Sequence, residues 1–120
     1  MNSCKIFFLL CTLLVTACGK DKSPYPNTAD CDFSRLYYMG DIKPIIDNNC
    51  AYSGCHSKND GANNFDFTTY DGVKKGIGDI AIRIQKNVND PLFMPQNKRI
   101  LDSCSYSKLR AWIDIGAPYN

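Results

Sequence analysis

Cysteine limits what this chain of 120 residues can become, because seven cysteines have to be accounted for. Two lie in or just before an apolar run near the start, one closes that run, two come just before the only histidine, and two are left over. In that order they are Cys4 and Cys11, Cys18, Cys50 and Cys55, and Cys31 and Cys104. Cysteines in such different settings have different chemical duties, so each group predicts a different part of the protein.

Cys11 belongs to a run of twelve mainly apolar residues, 6–17, which follows Lys5 and precedes a polar stretch, and Cys4 lies just before Lys5. Such a run is too short to span a bilayer and has the layout of an export signal. We therefore expect the rest of the chain to fold outside the cytoplasm.

The letters VTAC, which end the run at Cys18, resemble the lipobox of bacterial lipoproteins. The resemblance implies that Cys18 is acylated and that the protein is held at a membrane facing the periplasm or the cell surface. We expect a signal peptide over 1–17, a lipid-anchored polar tether over 18–30 and a folded domain over 31–120. A signal peptide cut elsewhere and an uncleaved anchor are the alternatives.

The folded part is short, about ninety residues, so it makes one domain that gains from a staple or a prosthetic group. Beyond the signal, thirteen Lys and Arg face twelve Asp and no Glu. A nearly neutral chain without a basic stripe argues against a nucleic-acid partner.

Cys31 and Cys104 are the cysteines left without another duty. In an oxidising compartment such a pair usually forms a disulfide, and closing a loop of about 70 residues contributes roughly 4 kcal/mol in the chain-entropy model. We predict this bridge; two separate buried thiols are the alternative.

Cys50, Cys55 and His56 form a C-x4-C-H motif, a lengthened version of the C-x-x-C-H signature of covalent haem attachment. In that signature two thiols bind the haem vinyl groups and the histidine binds the iron. The small residues Ser53 and Gly54 allow the extra length to bulge. A zinc site and a plain Cys50–Cys55 disulfide remain alternatives.

A second iron ligand is available in Met94, thirty-eight residues after His56. It stands before Pro95 in the stretch NDPLFMPQ, and a proline-bracketed loop presents a thioether stiffly. A core methionine is the alternative role.

Four stretches together resemble the small mono-haem cytochromes c of bacterial lipoproteins: DIKPIIDNNC, FDFTTYDGVKKG, the Met94-Pro95 loop and LRAWIDIGAP. The resemblance implies an all-α fold of three to five short helices around one covalently attached haem c. It also implies that Cys50 and Cys55 bind the haem, with His56 as the proximal iron ligand and Met94 as the distal one.

Hydrophobic spacing predicts a helix over 42–49, with Asp41 as its N-cap. We also predict helices over 69–75 and 79–86, although the alternating isoleucines of 79–86 fit a strand as well. A terminal helix, capped by Ser103 or Ser105, ends at Gly116 and should cross the first. Its apolar face comprises Tyr106, Leu109, Trp112 and Ile113.

The haem pocket should take its remaining walls from the aromatic residues that follow the motif, namely Phe65, Phe67 and Tyr70. Arg83 is the basic residue that we expect to pair with a haem propionate, with a solvated helix face as the alternative. Trp112 and Tyr106 are expected in the core.

Ligation by both His56 and Met94 would leave the iron no open position, so the sequence predicts electron transfer with redox partner proteins of the cell envelope, and no enzyme activity. A non-haem, disulfide-stapled structural or binding lipoprotein is the alternative. A small haem enzyme would need a second acid or base, and the chain has no second histidine.

Replacing Cys18 with serine should abolish incorporation of a labelled fatty acid, since the acylated thiol is then missing. Cys11→Ser, which changes a cysteine inside the apolar run, should still be labelled. Gel fluorography of cells grown with the labelled fatty acid measures both, and labelling of the Cys18→Ser protein would contradict the lipid anchor.

Overall fold

The computed structural model describes residues 31–96 and 99–120, and all regular structure in them is helical. The described residues form four α-helices: α1 (Lys43–Asn49), α2 (Tyr70–Lys75), α3 (Ile77–Arg83) and α4 (Ser103–Asp114). A π-helical segment, Tyr38–Ile42, runs into α1, and a 3-10 turn, Ala62–Asn64, follows the cysteine motif. The predicted all-α class is therefore confirmed. The predicted signal peptide, the tether and Cys18 lie outside the described residues.

Helix α1 begins one residue later than predicted, and Asp41 is not its cap. The Asp41 carboxylate instead accepts hydrogen bonds from the Tyr37 N–H at 3.0 Å and from Lys108 Nζ at 3.1 Å. Asp41 lies inside the π-helical segment, through which the chain enters α1. Inside α1, Ile45 and Ile46 point into the core.

Helices α2 and α3 follow each other with only Gly76 between them. The Thr69 hydroxyl caps α2 by accepting the Gly72 N–H at 3.1 Å. The segment that the isoleucine alternation left ambiguous is helical, and α3 begins two residues earlier than predicted. Ile80 and Ile84 are buried, whereas Ile82 is 61% exposed, as expected from residues two apart on a helix.

Helix α4 is capped by Asp102, not by either predicted serine, because the Asp102 carboxylate accepts the Ser105 N–H at 2.9 Å. Its buried residues are Leu109 and Trp112, and the Trp112 indole donates to the Pro118 carbonyl at 3.0 Å. The helix gives way at Gly116, whose φ of +92° suits a glycine that follows a helix.

The core lies where α4 packs on the π-helical segment and on α3. The fully buried rings of Tyr38 and Trp112 stack there with centroids 5.6 Å apart. We expected α4 to cross the first helix. In the structure α4 contacts the π-helical segment that leads into α1. Tyr106 and Ile113 pack at the edge of this core.

The two leftover cysteines, Cys31 and Cys104, are joined by a disulfide with their Cα atoms 5.5 Å apart. The bond connects the start of the described domain to the first turn of α4. Within 31–96 and 99–120, no helix has the length and apolar character needed to cross a membrane.

Gly72 is expected to tolerate no side chain, because an added Cβ would lie 1.6 Å from the Asp66 carbonyl oxygen. Gly72→Ala should lower the free energy of unfolding by about 2 kcal/mol or more, since backbone must move. Gly78→Ala is the matched control, with no atom within 4 Å and a gain of about 0.5 kcal/mol from helix propensity. Urea unfolding followed by circular dichroism measures both, and equal midpoints would contradict the packing.

Candidate cofactor site

One cavity brings together the four residues that the sequence predicts as cofactor ligands. Cys50, Cys55 and His56 line it from the motif loop, and Met94 lines it from the segment after α3. The cavity has a volume of about 150 Å³ and is partly open to solvent. Residues far apart in the sequence thus face the same space.

The walls of the cavity between these residues are largely apolar. Phe65 and Phe67 contribute aromatic faces, and Ile80 and Ile84 contribute the inner side of α3. The prediction that Tyr70 forms a third aromatic wall is wrong, because Tyr70 does not line the cavity. Its ring packs edge-on against the ring of Tyr38, with the ring centroids 5.0 Å apart. The first turn of α2 directs Tyr70 into the core, where its hydroxyl donates to the Ala117 carbonyl at 2.9 Å.

His56 is fixed through its backbone and through its ring. Its N–H donates to the Cys50 carbonyl at 3.1 Å, and its own carbonyl accepts the Phe67 N–H at 2.8 Å. Nδ1 lies 3.2 Å from the Phe65 carbonyl oxygen, and the ring stacks on Phe67 at 4.4 Å. Because a carbonyl only accepts hydrogen bonds, this contact selects the tautomer with hydrogen on Nδ1 and leaves a lone pair on Nε2.

Cys50 and Cys55 are both free thiols, so the motif is not closed by a disulfide in this structure. Burial, with a smaller contribution from Cys55, raises the pKa of the Cys50 thiol to about 12. Cys50 is therefore a neutral thiol at physiological pH, a form that does not bind zinc unless the metal displaces the proton. In the described part of the chain, no three His, Cys or acidic side chains converge as a metal site.

Hydrogen bonds to the Asp60 side chain hold the residues that lengthen the motif. Its carboxylate accepts the Gly54 N–H at 3.0 Å, the Ser57 hydroxyl at 2.7 Å and the Ser53 hydroxyl at 3.4 Å. Gly54 has a φ of +83°, a conformation that glycine adopts without strain. The bulge that the sequence requires between the cysteines is thus an ordered turn.

Met94 reaches the cavity on a segment anchored to the end of α3. Its N–H donates to the Arg83 carbonyl at 3.3 Å, and the flanking Phe93 and Pro95 are buried. The Arg83 side chain lines the same cavity and pairs with Asp79 at 3.4 Å. One helix end therefore positions both the candidate distal ligand and the candidate propionate partner.

Sequence reasoning missed two residues at this site, Tyr52 and Arg99. Tyr52 lines the cavity and accepts a hydrogen bond from Arg99 Nη1 at 3.2 Å, while the guanidinium lies 5.4 Å from the centre of its ring. Its hydrogen bond with the Cys55 side chain raises the pKa of the Tyr52 phenol. No local pattern signals this pair, because its members are 47 residues apart.

Comparison with protein-family models, with curated proteins and with solved structures finds no match to this chain. The interpretation of the cavity therefore rests on the geometry and chemistry of its own residues.

The turn held by Asp60 should open in acid. The hydrogen bonds from Gly54, Ser57 and Ser53 hold the pKa of Asp60 below its ordinary value of 3.8. Because the pKa of Asp60 is lower in the folded state than in the unfolded state, the stabilisation from these hydrogen bonds is complete above about pH 3.8. It is lost as the pH falls below that value and passes through the pKa of Asp60 in the folded state.

Asp60→Asn should remove this pH dependence and make the Gly54 amide exchange about tenfold faster at neutral pH, through easier local opening. Hydrogen exchange followed by NMR measures the amide. Asp114→Asn, which changes an exposed aspartate paired with Arg110, is the control. Equal Gly54 exchange in the two variants would contradict the role given to Asp60.

Proposed function

We propose that the protein is a lipid-anchored mono-haem c-type cytochrome that transfers single electrons between partner proteins of the cell envelope. The observation that carries the proposal is the convergence of Cys50, Cys55, His56 and Met94 on one apolar cavity. Two thiols, one imidazole and one thioether form the ligand set that such a haem requires.

The residues present fit a haem in their chemistry. The apolar walls favour a flat hydrophobic macrocycle, and the open mouth allows its charged edge to reach solvent. The free lone pair on His56 Nε2 suits an iron ligand whose other nitrogen is hydrogen-bonded to backbone. Cys50 and Cys55 are free thiols on the lining of the cavity, as the formation of two thioether bonds requires.

In this proposal each residue has one duty. Cys50 and Cys55 form the two thioether bonds, His56 is the proximal ligand, and Met94 is the distal ligand. Arg83 neutralises a propionate in addition to its pair with Asp79. When bound, the haem supplies a one-electron couple, and the protein tunes that couple through its axial ligands and the polarity of the cavity.

Electron transfer follows from the ligand set. A histidine and a methionine together fill both axial positions, so no position is left for a substrate, and methionine raises the reduction potential. In this proposal the four helices form a small cytochrome c-like bundle around the haem, with the lipid on Cys18 holding it near membrane-bound donors and acceptors.

The alternative of a stapled, non-haem lipoprotein depends on a bond between Cys50 and Cys55. Both thiols are free in the structure, while the other staple, between Cys31 and Cys104, is formed. No contact among residues 31–96 and 99–120 favours the alternative, so we retain the cytochrome as the proposal.

Expression of the chain with a haem-maturation system tests the proposal. The protein should show the reduced spectrum of a c-type haem and a haem-stained band that survives a denaturing gel. A Cys50→Ser, Cys55→Ser double variant should lose the stained band, since no thioether can form. A colourless wild-type protein from fully competent cells would refute the cytochrome.

Met94→Ala and Met39→Ala form a matched pair for the distal ligand, because Met39 is 56% exposed and does not line the cavity. The reduced Met94→Ala protein should bind carbon monoxide rapidly through the freed axial position, whereas Met39→Ala should behave as wild type. Stopped-flow mixing measures the rates, and equal rates for the two variants would remove Met94 from the ligand set.

A further inference from the structure

Tyr52, which lines the cavity, contacts Arg99, which lies outside the cavity lining. Tyr52 lies inside the lengthened motif, between the two cysteines, and Arg99 follows the segment that carries Met94. The side chains make two different contacts, a hydrogen bond of 3.2 Å and a guanidinium-to-ring contact of 5.4 Å. Two contacts of different chemistry fix both the distance and the orientation of the pair.

The motif loop and the segment carrying Met94 are otherwise anchored to different parts of the fold. The motif loop is held by the hydrogen bonds of His56 and Asp60, whereas Met94 is held by the Arg83 carbonyl. A contact that links the motif loop to the segment carrying Met94 therefore restrains the position of the candidate proximal ligand relative to the candidate distal ligand. Tyr52 is well placed for this duty, since its carbonyl also accepts the Cys55 N–H at 3.1 Å.

We propose that Tyr52 and Arg99 are positioning residues that hold the segment carrying Met94 against the cysteine motif. The residues that make the motif longer than C-x-x-C-H thereby give the loop the reach to present Tyr52 to Arg99. The effect on Met94 as an iron ligand rests on the proposed function; the link itself does not.

The link is tested first without reference to haem, by hydrogen–deuterium exchange and mass spectrometry of the protein as isolated. Arg99→Ala should speed exchange in the peptides that contain residues 51–56 and 92–96 about fivefold, because both lose the same restraint. Tyr52→Phe keeps the ring and loses the hydroxyl, so its effect should be smaller.

Arg110→Ala is the matched control, since Arg110 is a partly exposed arginine whose hydrogen bond goes to Asp114 on its own helix. It should leave both peptides unchanged. A Tyr52→Phe, Arg99→Ala double variant should exchange no faster than the Arg99→Ala single variant, since the hydroxyl has already lost its contact with the guanidinium. Additive effects, or equal exchange in Arg99→Ala and Arg110→Ala, would overturn the link.

The consequence for Met94 is tested with imidazole as a competing ligand of the oxidised haem protein. Arg99→Ala should bind imidazole about fivefold more tightly than wild type, because a less restrained thioether is displaced more easily. Arg99→Lys, which keeps the charge and loses the planar fork, should fall between the two. Unchanged imidazole affinity together with faster exchange would overturn the positioning of Met94.

A failure of the proposed function can be distinguished from a failure of the link between Tyr52 and Arg99. A wild-type protein without haem would refute the proposed function, and the exchange measurement would then decide the link alone. A wild-type haem protein in which Arg99→Ala changes neither readout would refute the link and leave the proposed function standing.

Discussion

The hydrogen bonds of His56 are the interaction on which the described site depends. Its backbone joins Cys50 on one side to Phe67 on the other, and its ring contacts the Phe65 carbonyl. The motif and the aromatic segment after it are thereby closed into one unit that faces α3. Without this closure the thiols, the imidazole and the aromatic walls would belong to separate loops, and a domain of this size has few other contacts with which to order them.

Much of the fold could be predicted from local patterns. The isoleucines of α1 and the apolar face of α4 stand at helical spacing, and the structure has helices at both places. The alternating isoleucines of the α3 segment fit a strand as well as a helix, and the segment is helical. The helix caps were harder to predict. Asp41 and the two serines looked like caps, yet Asp41 is engaged by Tyr37 and Lys108, and Asp102 caps α4. Which of several polar side chains caps a helix depends on competing donors that only the folded chain brings near.

The candidate site also has residues that could be predicted from the sequence and residues that could not. The motif and the methionine are local signals, and the structure places Cys50, Cys55, His56 and Met94 around one cavity. Tyr70 was misplaced because aromatic character does not say which way a side chain points at the start of a helix. The pairing of Tyr52 with Arg99 depends on how distant segments pack, and periodicity carries no information about that.

The chain has no glutamate, and the structure shows how its aspartates are used. Six described aspartates accept a backbone N–H close to them in sequence: Asp32, Asp41, Asp60, Asp66, Asp90 and Asp102. A short side chain is required for most of these contacts, since the carboxylate must return to an amide only two or three residues away. Exchange of aspartate for glutamate, usually regarded as conservative because the charge is retained, would here undo turns. Asparagine, which preserves the reach, should therefore replace these aspartates at a lower cost in stability than the longer acid does.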